Sequence, residues 1–89
     1  MIVLEKEFII ANANGLHSRP AIKIVSIASK FDCNITITCD GITVDLKSIM
    51  SVLSLGLKQG SVVIIKTKGL DEVEALKTIS KNIIEFNLR

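Results

Sequence analysis

The sequence predicts a two-layer α/β sandwich: four short strands and three helices in the order βαββαβα, with the helices on one face of the sheet. Three observations predict it. Apolar residues alternate or run together in four strand-like segments, they recur at helical spacing in three others, and turn residues separate the segments. The core must also be β-branched, because 48% of the 89 residues are hydrophobic while the only aromatics are three Phe. Residues 1–89 read as one domain, and a chain of this size buries roughly 60–65% of its unfolded surface, enough for a core without disulfides or metal.

Residues 2–10 alternate imperfectly. Ile2, Leu4, Phe8 and Ile10 share one face, and Val3, Glu5, Glu7 and Ile9 the other, as in a half-buried strand. Asn12, Asn14 and Gly15 stop it in a turn. From Ser18 to about Lys30, Ala21, Ile24, Val25, Ala28 and then Phe31 recur at helical spacing and form one core-facing stripe. Residues 34–39 alternate strictly, Asp40-Gly41 matches a two-residue hairpin turn, and Ile42, Val44 and Leu46 return on one side of the next strand.

Ser48 is a good N-cap for a short helix that runs to Gly56. That helix is too apolar for its length. Val52 and Leu55 can face a core, but Ile49, Met50 and Leu53 cannot all point inward from two turns. Residues 61–67 contain Val62-Val63-Ile64-Ile65, apolar on both faces like a central strand. Asp71 and Glu74 form a D-x-x-E capping pattern, after which Val73, Leu76, Ile79, Ile83 and Phe86 mark an amphipathic helix. Local pattern makes only the two strands around Asp40-Gly41 neighbours.

Composition narrows the function. Eleven basic and nine acidic residues are well mixed and leave a net charge of +2, so no basic arm points to nucleic acid. Glu5, Lys6 and Glu7 stand where a signal peptide would be apolar, and no apolar run reaches membrane-spanning length, so a cytoplasmic protein without membrane insertion is expected. Cys33 and Cys39 have neither zinc-site nor CxxC spacing and read as small apolar residues on or beside a strand. No metal or cofactor is expected.

Chemistry concentrates in Gly15-Leu16-His17-Ser18-Arg19-Pro20-Ala21, which holds the only histidine and the only proline. Proline lacks an N–H and is tolerated in the first turn of a helix, which places His17 or Ser18 at the N-cap. An imidazole there lies beside unpaired N–H groups and the positive end of the helix dipole, with Arg19 two residues on. This is a pocket for an anion, and phosphate fits best. Read alone, His17 is a capping residue and Arg19 a solvated one; a second motif, Lys47-Ser48-Ile49-Met50 with Leu55-Gly56 and Gly60, changes that reading.

With both motifs, the length and the element order, essentially the whole chain resembles the histidine-containing phosphocarrier family, HPr, of the bacterial phosphoenolpyruvate-dependent sugar phosphotransferase system. The resemblance implies an α+β open-faced sandwich whose four-stranded antiparallel sheet has the order 1-4-2-3. It also implies that His17 accepts a phosphoryl group on Nδ1 from phosphorylated Enzyme I and passes it to IIA domains of sugar permeases. Such a protein is a stoichiometric carrier, not an enzyme, and a monomer. Ser18 stands where the family often has Ala or Thr, and Ser51 where it often has Gly.

Arg19 is the expected charge partner, because a guanidinium can donate two hydrogen bonds to phosphate oxygens. For Ser48 two readings stay open: an N-cap alone, or an N-cap that an HPr kinase/phosphorylase also modifies, adding charge beside the docking surface. The expected docking patch is an apolar centre of Ile49, Met50 and Leu53 with Ser18, Lys23 and Lys47 around it, against the alternative that all three apolar residues are core. A different class of function also stays open: a regulatory HPr-like module for nitrogen or catabolite control, acting through Ser48 and the patch.

Overall fold

The computed structural model describes residues 4–88, so the strand positions expected for Ile2 and Val3 lie outside the described residues. The elements are β1 (Leu4–Ile9), α1 (Ser18–Ala28), β2 (Cys33–Cys39), β3 (Ile42–Asp45), α2 (Ile49–Ser54), β4 (Val62–Gly69) and α3 (Glu72–Asn87). They form one antiparallel sheet in the order β1-β4-β2-β3. The β2–β3 pairing follows the predicted hairpin: Asp40 and Gly41 take φ of 51° and 78°, the left-handed pair that a two-residue turn needs to match strand twist.

Register sets which residues meet. One cross-strand row joins Lys6, Ile65, Ile37 and Val44, and the next joins Leu4, Thr67 and Ile35. Alternation then sends Phe8, Ile35, Ile37, Cys39, Val63 and Ile65 into the helical layer. There they meet Ala21, Ile24 and Ala28 of α1, Val52 of α2, and Ala75, Ile79, Ile83 and Phe86 of α3. Fully burying an Ile or Leu side chain is worth about 1.5–3 kcal/mol, so these few residues dominate the hydrophobic stabilisation.

Several expectations change in detail. Beside β4, the opposite face of the sheet carries no helix, so Val62 is 45% exposed and Ile64 half-buried despite the central position of the strand. Ile42 is exposed at the sheet edge, while Leu46, just beyond β3, is fully buried. Helix α1 ends at Ala28, and residues 29–31 continue only as tight turns, with Lys30 and Phe31 N–H donating to the Ile27 and Ala28 carbonyls.

The largest difference is at α3. Val73 is exposed rather than part of the core stripe, which runs instead through Ala75, Ile79, Ile83 and Phe86. The D-x-x-E box does not form, because Asp71 makes no side-chain cap bond. Its Oδ2 accepts the Asp32 N–H at 2.8 Å and so ties the α1–β2 turn to the start of α3. Glu72 substitutes at the helix start by accepting the Gly69 N–H, while the Thr67 hydroxyl donates to the Glu72 carbonyl.

The segment ahead of α1 is fixed by a close crossing of two backbones. Gly15 has φ of 67°, and a Cβ there would sit 2.5 Å from the Leu57 carbonyl oxygen and 2.7 Å from Lys58 Cα. The next residue uses that proximity: the Leu16 N–H donates to the Leu57 carbonyl at 3.0 Å, and its side chain is buried. Only glycine meets both conditions.

Gly15→Ala should therefore lose at least about 1–3 kcal/mol from the left-handed backbone alone, with more from the displaced 57–58 segment, measured as a lower urea midpoint. Asp71 gives a pH test. The Asp32 N–H holds its carboxyl below the ordinary 3.8, so the ionised group stabilises the fold above that value and the contribution is lost as pH falls through the folded value. Asp71→Asn should be less stable than the parent at pH 7, and the difference should shrink on acidification to pH 3.

Candidate functional site

His17 is the N-cap of α1, with φ of −80° and ψ of −174°, and its imidazole makes no capping hydrogen bond. Its carbonyl accepts the first helical bond, from the Ala21 N–H at 3.1 Å. Ser18 and Arg19 are the first two helical residues, whose N–H groups have no intrahelical acceptor, and Pro20 has no N–H to place. The ring is thus exposed at the positive end of α1 without being consumed by it.

The loop before it is held by short-range bonds. The Asn14 N–H donates to Asn12 Oδ1 at 3.0 Å, and the Gly15 N–H to the Asn12 carbonyl at 2.9 Å. With Leu16 anchored below, this rigid turn presents the imidazole beside a cavity of about 270 Å³ lined by Asn12, Asn14, His17, Arg19, Pro20 and Lys23 together with Asn82 and Phe86 of α3. No carboxylate lines it. Two permanent cations, a histidine and three amides around one recess suit an oxyanion with several acceptor oxygens.

The structure brings His17, Arg19 and Lys23 together but leaves Ser48, Ile49, Met50 and Leu53 outside this cavity. They belong to α2 and its cap, packed beside α1. Ser48 is the N-cap: Oγ accepts the Ser51 N–H at 3.4 Å, and the Ser48 hydroxyl donates to Ser51 Oγ at 3.0 Å. Met50 is 75% exposed, whereas Ile49 and Leu53 are half-buried against the core, so the apolar centre is narrower than the spacing suggests. Ser18 is exposed. Lys47 is turned away from any basic rim, since its ammonium donates to the Phe31 carbonyl at 2.8 Å.

Sequence reasoning missed several neighbours of His17, including Asn12 and Asn14, which it read only as turn residues. Ile22, 56% exposed on α1, adds an apolar side chain to the outer surface of the helix that carries His17. Asn82 and Phe86 reach the His17 cavity from a helix more than sixty residues away in the chain. Ile22 was detectable as an apolar residue off the core stripe; nothing in local pattern signals Asn82 or Phe86.

The cysteines are free and buried in β2. Burial, and then the Asp71 carboxylate beside it, push the Cys33 thiol up to about 11; burial and Asp40 raise Cys39. Such thiols carry little nucleophilic thiolate. Among the described residues no cluster of three or more His, Cys, Asp or Glu is placed to hold a metal, and no helix is long and apolar enough to cross a membrane.

The match to known proteins is extensive. Residues 4–85 fit the family model described as the phosphorylation site of the HPr component of the phosphotransferase system. An HPr from Thermoanaerobacter tengcongensis superposes with a TM-score of 0.91 at 41% identity, covering 97% of both chains. The histidine-containing phosphocarrier protein of Mycoplasma gives 0.91 at 36%, covering 96% of this chain and 97% of that one. Crh, the catabolite-repression HPr of Bacillus subtilis, solved as a swapped dimer, gives 0.74 at 31%, covering 97% and 99%. A sheet of order 1-4-2-3 under three helices, with a histidine at the first helix start and a family match over 4–85, means that the chain belongs to the HPr family of phosphotransferase-system phosphocarriers.

Proposed function

We propose that this chain is the cytoplasmic phosphoryl carrier between phosphorylated Enzyme I and the IIA domains of sugar permeases, with His17 as the acceptor. The observation that carries the reading is the cavity in which an exposed, uncommitted imidazole stands at a helix start beside Arg19 and Lys23 with no carboxylate. The neutral ring is the nucleophile. Its Nδ1 lone pair forms the new N–P bond while the bond from phosphorus to the donor breaks, and the reverse displacement hands the group to the next acceptor.

The same surroundings serve both states. The helix N-terminus stabilises the bound phosphoryl charge by about 0.3–1 kcal/mol at an exposed site, up to about 2 in good geometry. That modest size keeps the group transferable. Arg19 contributes paired donors that a lysine cannot reproduce. The carrier acts as a monomer, needs no cofactor and turns over only through its partners.

Incubation with Enzyme I and phosphoenolpyruvate should add one acid-labile phosphoryl group, seen by mass spectrometry and discharged on adding a IIA domain. His17→Ala should take up none, and Arg19→Lys should slow transfer about tenfold or more. Labelling at another residue would falsify the assignment.

A second reading, regulatory control through Ser48, is supported by the likeness to Crh and by the position of the hydroxyl at the α2 N-cap. A phosphate there meets a helix N-terminus and adds about −1.5 to −2 charge next to exposed Met50, repelling acidic partners without unfolding the helix. The bond to Ser51 Oγ must first break. An HPr kinase with ATP should therefore label Ser48, label Ser51→Gly faster and leave Ser48→Ala unlabelled. Equal rates for the parent and Ser51→Gly would remove any role for that bond.

A further inference from the structure

A second recess lies on the other side of α3, away from His17. It is a groove of about 720 Å³ between α3 and the edge strand β1. Its apolar lining is Leu4, Val73, Leu76 and Ile84, and its charged lining is Lys6, Lys77 and Lys81 against the single Glu85. The register explains it. Leu4 and Lys6 pair with Thr67 and Ile65 and so stand on the helix side of the sheet, at the edge. Helix α3 carries its buried stripe on Ala75, Ile79, Ile83 and Phe86, which leaves a second apolar stripe facing this edge, with Val73 66% and Ile84 48% exposed.

The cations around that stripe lack ion-pair partners among the described residues. Among the described residues the only ion pair is Lys66 with Glu5, on the opposite face of the sheet, so Lys6, Lys77 and Lys81 have no carboxylate partner. The Lys6 ammonium instead lies 5.6 Å from the centre of the Phe8 ring. Three cations without a carboxylate partner, flanking an apolar channel, are the complement of a surface with apolar residues at its centre and carboxylates beside them. From Val73 to Ile84 the stripe spans about 16 Å of helix, the length of three turns of an apposed helix.

We propose that this groove is a second docking surface that takes an acidic amphipathic helix of a partner protein. The two recesses share α3 and no residue: Asn82 and Phe86 line the first, Val73, Lys77, Lys81 and Ile84 the second. A partner seated in the groove leaves His17 accessible, so the chain can hold one protein while exchanging phosphoryl groups with another. This inference stands on the groove alone and does not require the carrier reading.

The test is a titration of the 15N-labelled full chain with a synthetic 15-residue helical peptide bearing Leu on one stripe and Glu on both flanks. Saturable shift changes should centre on Leu4, Lys6, Val73, Leu76, Lys77, Lys81 and Ile84, with His17 and Met50 unmoved. The double variant Lys77→Glu with Lys81→Glu, at exposed positions and checked for an unchanged melting curve, should bind at least tenfold more weakly, and Ile84→Gln should also weaken binding. Raising the salt from 50 to 500 mM should act in the same direction. Shifts centred on Ile22 and Met50, equal binding of a peptide with Lys in place of Glu, or binding only to phosphatidylglycerol vesicles would each overturn the proposal.

Discussion

The site depends on one backbone crossing. Gly15 passes so close to Leu57 and Lys58 that no side chain fits between them, and the Leu16 N–H bonds to the Leu57 carbonyl in the gap. Through this contact the segment after α2 sets the position of the segment before α1. A loop free to drift would leave Asn12 and Asn14 at variable distances from the start of α1, whereas a pinned one lets the loop, the first turn and the cavity act as a preorganised receptor.

The phosphoryl transfer proposed for His17 needs an acceptor that is neither buried nor tightly satisfied, and the helix start supplies that balance. An N-cap histidine lies among donors it does not consume, because its ring makes no cap bond. Ser48 is the contrasting case. It is also an N-cap, but its oxygen is engaged by the Ser51 N–H and its proton by Ser51 Oγ, so its hydroxyl is structural in the unmodified chain. Two helices that begin alike thereby differ: one displays an exposed imidazole without a cap bond, the other a latched hydroxyl beside an exposed methionine.

The third helix borders both recesses. Its buried stripe closes the core, Asn82 and Phe86 complete the His17 cavity, and Val73 and Ile84 line a separate groove beside lysines without a carboxylate partner among the described residues. One 16-residue helix can present three surfaces because an open-faced sandwich has a single helical layer. A helix resting on the sheet by one stripe keeps its remaining circumference for other surfaces.

Local physics made much of this legible from the sequence. Alternation in residues 34–39, the Asp40-Gly41 turn, Ser48 as a cap and Pro20 within a first turn each depend on neighbouring residues only, and each appears in the structure. The pairing of motifs added the family and, through it, the strand order. Tertiary structure alone decided the rest. The D-x-x-E pattern failed because Asp71 found the Asp32 N–H, an acceptor opportunity created by the meeting of two distant turns. Lys47 left the expected basic rim for the Phe31 carbonyl, and Val73 left the core because α3 lies rotated over the sheet toward Ala75 and Ile79. The place of His17 at a helix start was visible because residue type and helix position are local properties. Asn82 and Phe86 wall its cavity and the Leu57 carbonyl pins the residue before it, and periodicity along a chain carries no information about which distant residues a fold brings face to face.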